Sequence, residues 1–210
     1  MKLLVATRSP GKQKEIRRIF DGSGIEVVFP DEAGVLESQA EVHLELGDSF
    51  AANARAKAEY FAKQTGLPTV ADDSGLEVFS LGGEPGVRSR RWAGASGTEE
   101  QVAAANNAML LRRLSGAPEL KRRARYRCLL SLYRTPKAFP ESFEGACTGR
   151  ILEEPRGTGG FGYDPLFWSD ELEKSFGEAA PEEKDAVSHR GRAFAALRQS
   201  LQGPSARSNP

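Results

Sequence analysis

Cysteine and histidine are scarce: the 210 residues contain two of each. Cys128 and Cys147 fall in strand-like stretches with no metal-ligand spacing, so a zinc site built on thiolate pairs is excluded. A reduced, cytoplasmic setting with both thiols as small core residues is the simplest account. Whether their strands lie close enough to pair is left open by the sequence. No apolar run approaches the ~20 residues of a membrane span. The start, Met1–Ala6, is too short for a signal peptide and turns polar at Thr7, so a first buried strand is expected there. Charge of one sign is not in excess either, with 29 Lys+Arg against 29 Asp+Glu. That balance argues against nucleic acid as the main partner, because backbone binding needs a net positive face. Lys121–Arg123 and Arg88–Arg91 are basic clusters of the kind that solvated turns carry. There is no GxxxxGK[ST] loop, no internal repeat and no separating linker. One domain over residues 1–202 is expected, as a single body or two tightly joined lobes, with residues 203–210 as a disordered tail.

What is present centres on Val70-Ala71-Asp72-Asp73-Ser74-Gly75-Leu76. An apolar run delivers two adjacent acids, a hydroxyl and a glycine, and a second apolar run follows. This predicts a strand, a tight turn at the acids and another strand. Acids held at a strand end can carry a metal or act as a general base.

Lys2–Ala6 predicts a strand that feeds the turn Thr7-Arg8-Ser9-Pro10-Gly11-Lys12. Ser9 is placed as N-cap and Pro10 at the first helical position, with Ile16, Ile19 and Phe20 on one apolar face. A helix N-terminus with Lys12 in its first turn suits phosphate. Ile25–Phe29 predicts a second strand, and the stretch 31–47 is irregular and acidic, with Glu32, Glu37, Glu41 and Glu45. Asp48 or Ser49 caps a helix from Phe50 to about Gln64, on which Asn53 and Lys57 share a face. Thr98 and Gln101 form a capping box for a helix ending near Leu114. Strands are predicted over Arg123–Tyr133 and Ser142–Ile151, the latter with Gly145 and Gly149 among its inward residues, a sign of close packing.

Residues 157–162 match GxGxxG, but Pro165 opposes the helix that a dinucleotide motif requires. Read instead as a glycine hinge, the segment presents Phe161, Gly162, Tyr163 and Asp164, a ring and a carboxylate suited to a nucleobase; the alternative is that its aromatics plug the core. Pro181–Asp185 predicts a helical turn. Ser188-His189-Arg190 precedes a last helix, Ala193–Leu201, where His189 and Arg190 could hold a carbonyl or phosphate.

Five stretches together resemble the Ham1-type inosine triphosphate pyrophosphatase family. They are Ala6–Lys12, Ser49–Lys57, Ala71–Gly86, Gly157–Pro165 and Glu183–Gly191. The resemblance implies an α/β fold of two lobes around a long, twisted mixed β-sheet flanked by helices, with the active-site cleft between the lobes. It implies a homodimer, Mg²⁺ as cofactor, and hydrolysis of ITP, dITP and XTP to the monophosphate and pyrophosphate. By motif match Asp73 is general base and metal ligand, with Glu45 and Asp72 completing the acidic set. Ser74 contacts substrate, and the turn Thr7-Arg8-Ser9-Pro10-Gly11-Lys12, with Asn53, Lys57 and Lys184, receives the triphosphate. Phe161, Gly162, Tyr163 and Asp164, with His189 and Arg190, take the base. Three positions depart from the family pattern. Arg8 and Ser9 replace the usual Gly-Asn, and Arg8 reads either as an added phosphate contact or as solvent-facing. Ala52 replaces a Glu; with Ser49 as N-cap, that Glu would be the far half of a capping box. A Maf-type pyrophosphatase for modified pyrimidine nucleotides and a silent nucleotide-binding module are the alternatives, separable by base preference and turnover.

Overall fold

In the computed structural model, which describes residues 1–203, one seven-stranded sheet has the order β2-β1-β3-β4-β5-β6-β7. The elements are β1 (Lys2–Val5), α1 (Pro10–Phe20), β2 (Glu26–Val28), α2 (Phe50–Thr65), β3 (Thr69–Val78), α3 (Glu99–Arg113), β4 (Arg123–Tyr133), β5 (Glu141–Ile151), β6 (Phe167–Ser169), β7 (Lys174–Ser175), α4 (Pro181–Val187) and α5 (His189–Gln202). Strand β1 pairs in parallel with β2 and β3, and every later pairing is antiparallel, so the sheet is mixed. The tail expected from Gly203 onward lies, beyond Gly203 itself, outside the described residues.

The turn expected at Asp72–Gly75 is not there. Strand β3 runs unbroken from Thr69 to Val78, and β4 pairs with it along its whole length. The turn-favouring residues stay extended because β4 satisfies their backbone groups and buried cations compensate the acids. Side chains of β3 therefore alternate across the sheet. Val70 joins Leu3, Val5, Cys128 and Leu130 under α1 and α5, around Ile16, Phe20, Phe194 and Leu197. Ala71 faces the other way, onto Ala58, Phe61 and Ala62 of α2. A third cluster packs Leu76, Val78 and Tyr126 against α3 and against Tyr163, Phe167 and Phe176.

Cys128 stands opposite Gly145 and Cys147 opposite Tyr126, so the two thiols are out of register, buried and free. Gly145 lets α5 lie directly on β5: a Cβ there would come within 2.2 Å of the His189 carbonyl oxygen. Helix α5 begins at His189, four residues earlier than expected. Ser188 is its N-cap, accepting a 3.0 Å bond from the Gly191 N–H. A seven-residue 3₁₀ helix, Gln39–Glu45, lies within the stretch expected to be irregular.

Candidate active site

On the α2 side of the sheet, Asp73 accepts a 2.8 Å hydrogen bond from Asn53 Nδ2, and its other oxygen lies 3.7 Å from Lys57 Nζ. Lys57 also donates to the Glu45 carboxylate at 3.1 Å and to the Asp72 carbonyl at 2.6 Å. Asn53 and Lys57 share a face, as their spacing predicts, and the structure turns that face onto Asp73. The two carboxylates around Lys57 differ electrostatically. Lys57, with help from Lys12, pulls Glu45 down to about 2 against its partial burial. At Asp73 burial outweighs Lys57, Lys12 and the Asn53 bond, and its pKa is raised. Asp73 is accordingly the better proton acceptor of the pair.

Asp72 occupies the opposite face and is fully buried. Lys12 Nζ is 2.8 Å from its Oδ2, Arg190 Nε is 3.5 Å away, and the Ser74 hydroxyl donates to it at 3.2 Å. Burial opposes its ionisation, but Lys12, Arg190 and Lys57 together hold it well below the ordinary carboxylate range. The expectation that Asp72 joins Asp73 and Glu45 around one metal is corrected: strand alternation points its carboxylate through the other side of the sheet. Only its backbone carbonyl reaches Lys57.

From Asp72 a line of alternating charge continues inward. Arg190 donates to Ser74 Oγ at 2.9 Å and to Glu15 at 2.5 Å. Lys184 donates to Glu15 at 2.6 Å and to Asp164 at 2.5 Å. Burial works against Glu15, yet Arg190 and Lys184 bring it to about 2. Two expectations change here. Lys184, placed on the triphosphate by motif, is buried and held by two carboxylates. Asp164, placed at a base edge, accepts from Lys184 and from the Phe161 N–H at 2.7 Å. Tyr163 follows the alternative stated for this segment: its ring is in the core and its hydroxyl donates to the Ser89 carbonyl at 2.9 Å. The Gly162 carbonyl accepts from Asn107 at 3.0 Å. Phe161 remains partly exposed, with Lys184 and Arg190 at 5.0 and 5.6 Å from its ring centre. It lies on Gly11, where a Cβ would come within 2.7 Å of the ring, so the turn admits Phe161 only because that residue is glycine. His189 stacks on Tyr126 at 4.5 Å, and burial beside Arg190 keeps its imidazole neutral. His189 Nδ1, Arg190 Nε and Asp72 Oδ1 are buried without a hydrogen-bond partner.

The Thr7–Lys12 turn opens α1 as expected, with Ser9 at the N-cap position and Pro10 in the first turn. Ser9 makes no side-chain cap bond; Thr7 Oγ1 instead accepts from the Ser9 N–H at 3.3 Å. Arg8 is not solvent-facing, its side chain being 18% exposed. Its fork takes both oxygens of Glu41, at 2.7 and 2.8 Å. Ser49 caps α2, accepting from the Ala52 N–H at 3.2 Å, which makes Ala52 the third helical residue as its spacing predicts.

A sequence model of the Ham1 family matches residues 3–200. The chain belongs to the Ham1 family. It is 43% identical over 226 residues to a dITP/XTP pyrophosphatase of Anaeromyxobacter sp. (strain Fw109-5), covering 96% of this chain and 97% of the relative. It is 45% identical over 198 residues to a dITP/XTP pyrophosphatase of Frankia alni, covering 92% and 94%. The solved HAM1 protein from Coxiella burnetii superposes with a TM-score of 0.82 at 35% identity, covering 96% of this chain and 98% of that one.

Three charged residues that contact the candidate site lie outside the motif reading. Glu15 sits between Arg190 and Lys184; Glu41 holds Arg8; Arg91 donates to the Glu45 carbonyl at 2.8 Å. Glu15 had a signal in the sequence, since it shares the inward stripe of α1 with Ile16 and Ile19. For a divalent cation, no group of three or more His, Cys, Asp or Glu side chains converges among the described residues. Asp73 and Glu45 do converge on the Lys57 ammonium. Mg²⁺ usually takes one or two carboxylates and completes its shell with water and substrate phosphates, so this donor pair fits it.

Proposed function

We propose that this Ham1 protein hydrolyses dITP, ITP and XTP to the nucleoside monophosphate and pyrophosphate. Its relatives are named dITP/XTP pyrophosphatases, and the observation that carries the reading is the Asp73–Lys57–Glu45 cluster beside Lys12. Asp73 takes a proton from water as the water oxygen attacks the α-phosphorus. The bond from that phosphorus to the bridging oxygen breaks, and pyrophosphate leaves with the electron pair. Lys12 and Lys57 lie against the triphosphate and offset its charge. Mg²⁺, held by Asp73 and Glu45, would supply charge neutralisation on the phosphate oxygens. Asn53 fixes the Asp73 carboxylate through its 2.8 Å bond, leaving one oxygen for water.

For the base, Phe161 offers a partly exposed ring for stacking, and the unpartnered Arg190 Nε–H and His189 Nδ1 offer polar atoms to a purine edge. A 6-oxo purine accepts where adenine donates, so ATP would leave a buried donor unsatisfied. The same reading includes a homodimer and a cytoplasmic setting, the latter supported by two free, buried thiols. Among the described residues no helix is long and apolar enough to cross a membrane.

The test is pyrophosphate release from dITP, ITP, XTP, GTP and ATP, each with and without Mg²⁺. Fast, Mg²⁺-dependent release from the first three is expected. No release from any of them, or a preference for modified pyrimidine triphosphates, would overturn the reading.

A further inference from the structure

Glu45 sits at the end of a strap, residues 31–47, whose apolar anchorage is three partly buried side chains, Ala33, Val35 and Leu44, packed against the core on the α2 side. Leu36, Val42 and Leu46 within it are 87%, 66% and 58% exposed. Polar clamps add to that packing. Gly47 N–H donates to Asn53 Oδ1 at 2.8 Å, Ser38 and Tyr60 hydroxyls meet at 3.1 Å, and Arg91 takes the Glu45 carbonyl. The heaviest clamp is Arg8. Besides both oxygens of Glu41, its guanidinium donates to the Val35 carbonyl at 3.1 Å and pairs with Asp31. It also lies 5.8 Å over the Phe61 ring of α2. The Arg8 and Glu41 side chains are only 18% and 14% exposed, so this two-pronged pair is largely shielded from solvent.

The geometry gives the clamp a consequence at the site. Glu41 and Glu45 lie on one 3₁₀ helix, Gln39–Glu45, in which each residue advances about 2.0 Å. Glu41 also closes the helix start, accepting from the Ser38 N–H at 3.3 Å. Fixing Glu41 therefore sets the position and rotation from which Glu45, four residues on, reaches Lys57. Arg8 lies in the turn that follows β1, so this interior strand, paired on both sides, is the fixed body to which the strap is tied.

We propose that Arg8 is a positioning residue for the divalent-cation site, acting through Glu41 to hold Glu45 beside Asp73. The proposal rests on reading Glu45 as a metal ligand. Arg8→Met keeps the stem over Phe61 and removes the fork; Arg8→Lys keeps the charge without the two-pronged geometry. The protein is titrated with Mn²⁺ and free Mn²⁺ followed by electron paramagnetic resonance, with no nucleotide present. In parallel, the half-saturating Mg²⁺ concentration is measured for pyrophosphate release from dITP. Arg8→Met should weaken Mn²⁺ binding and raise half-saturating Mg²⁺ by about tenfold, the scale for residues that orient a metal ligand. At saturating Mg²⁺, kcat should change by less than about threefold, and Arg8→Lys should fall between. Backbone amides of residues 39–45 should exchange faster in Arg8→Met. Glu45→Ala is the control. If it shifts both metal readouts and Arg8→Met shifts neither, the positioning role is overturned while the ligand reading stands. If Glu45→Ala shifts neither, the ligand reading itself falls, and the proposal with it. Should Arg8→Met not fold, Glu41→Gln removes the same pair from the strap side and is held to the same outcomes.

Discussion

The neighbours of Asp73, the proposed general base, are asymmetric. One oxygen is tied to Asn53 at 2.8 Å and the other faces Lys57 more loosely, at 3.7 Å. Burial raises its pKa while Glu45, on the same lysine, is lowered. Asp73→Asn preserves shape and the Asn53 contact but cannot accept a proton. Its kcat for dITP should fall about 10²–10⁴-fold, the usual contribution of a general base, with an unchanged circular-dichroism spectrum. A rate near wild type would assign the proton to another group. Asp72 shows why adjacency in sequence is a poor guide within a strand: one residue is enough to turn a carboxylate to the other face of the sheet, where it pairs with Lys12.

Among the elements, α2 shows a local rule broken at little structural expense. Its first turn contains no acid, and Ser49 caps it alone. Ala52→Glu should complete a capping box and add about 0.5–1 kcal/mol, raising the melting temperature by about 1–4 °C without raising kcat. A large rate gain would instead make position 52 part of the chemistry. Helix α2 was legible throughout: its cap, its length and the face shared by Asn53 and Lys57 follow from local spacing. Strand β3 was legible as two apolar runs but not as one element. The pairing that keeps Asp72–Gly75 extended comes from β4, about fifty residues later. The Glu15–Lys184–Arg190 cluster was hidden for the same reason, since α1 and α4–α5 meet only in the folded chain. Arg8 could be recognised as unusual from the family pattern, but its partner Glu41 lay in a stretch with no periodic signal.

Across the whole molecule, the buried charges couple stability to pH. Glu15 ties α1 to α4 and α5, and its carboxyl is lowered from 4.5 to about 2 on folding. A lowered carboxyl pKa stabilises the native state above the unfolded value. Its contribution, about 3 kcal/mol, is complete above pH 4.5 and is lost as pH falls towards 2. Glu15→Gln leaves two buried cations undercompensated. It should lower the unfolding free energy by about 3 kcal/mol at pH 7 and flatten the acid limb in urea titrations taken from pH 5 to 2. Parallel wild-type and variant curves over that range would remove Glu15 as the coupling group.

The proposed hydrolysis turns on which phosphorus the water attacks. Hydrolysis of dITP in ¹⁸O-labelled water, with products resolved by mass spectrometry, places the label. Attack at the α-phosphorus predicts one ¹⁸O in dIMP and unlabelled pyrophosphate. Label in the pyrophosphate, or inorganic phosphate as the first product, would contradict it.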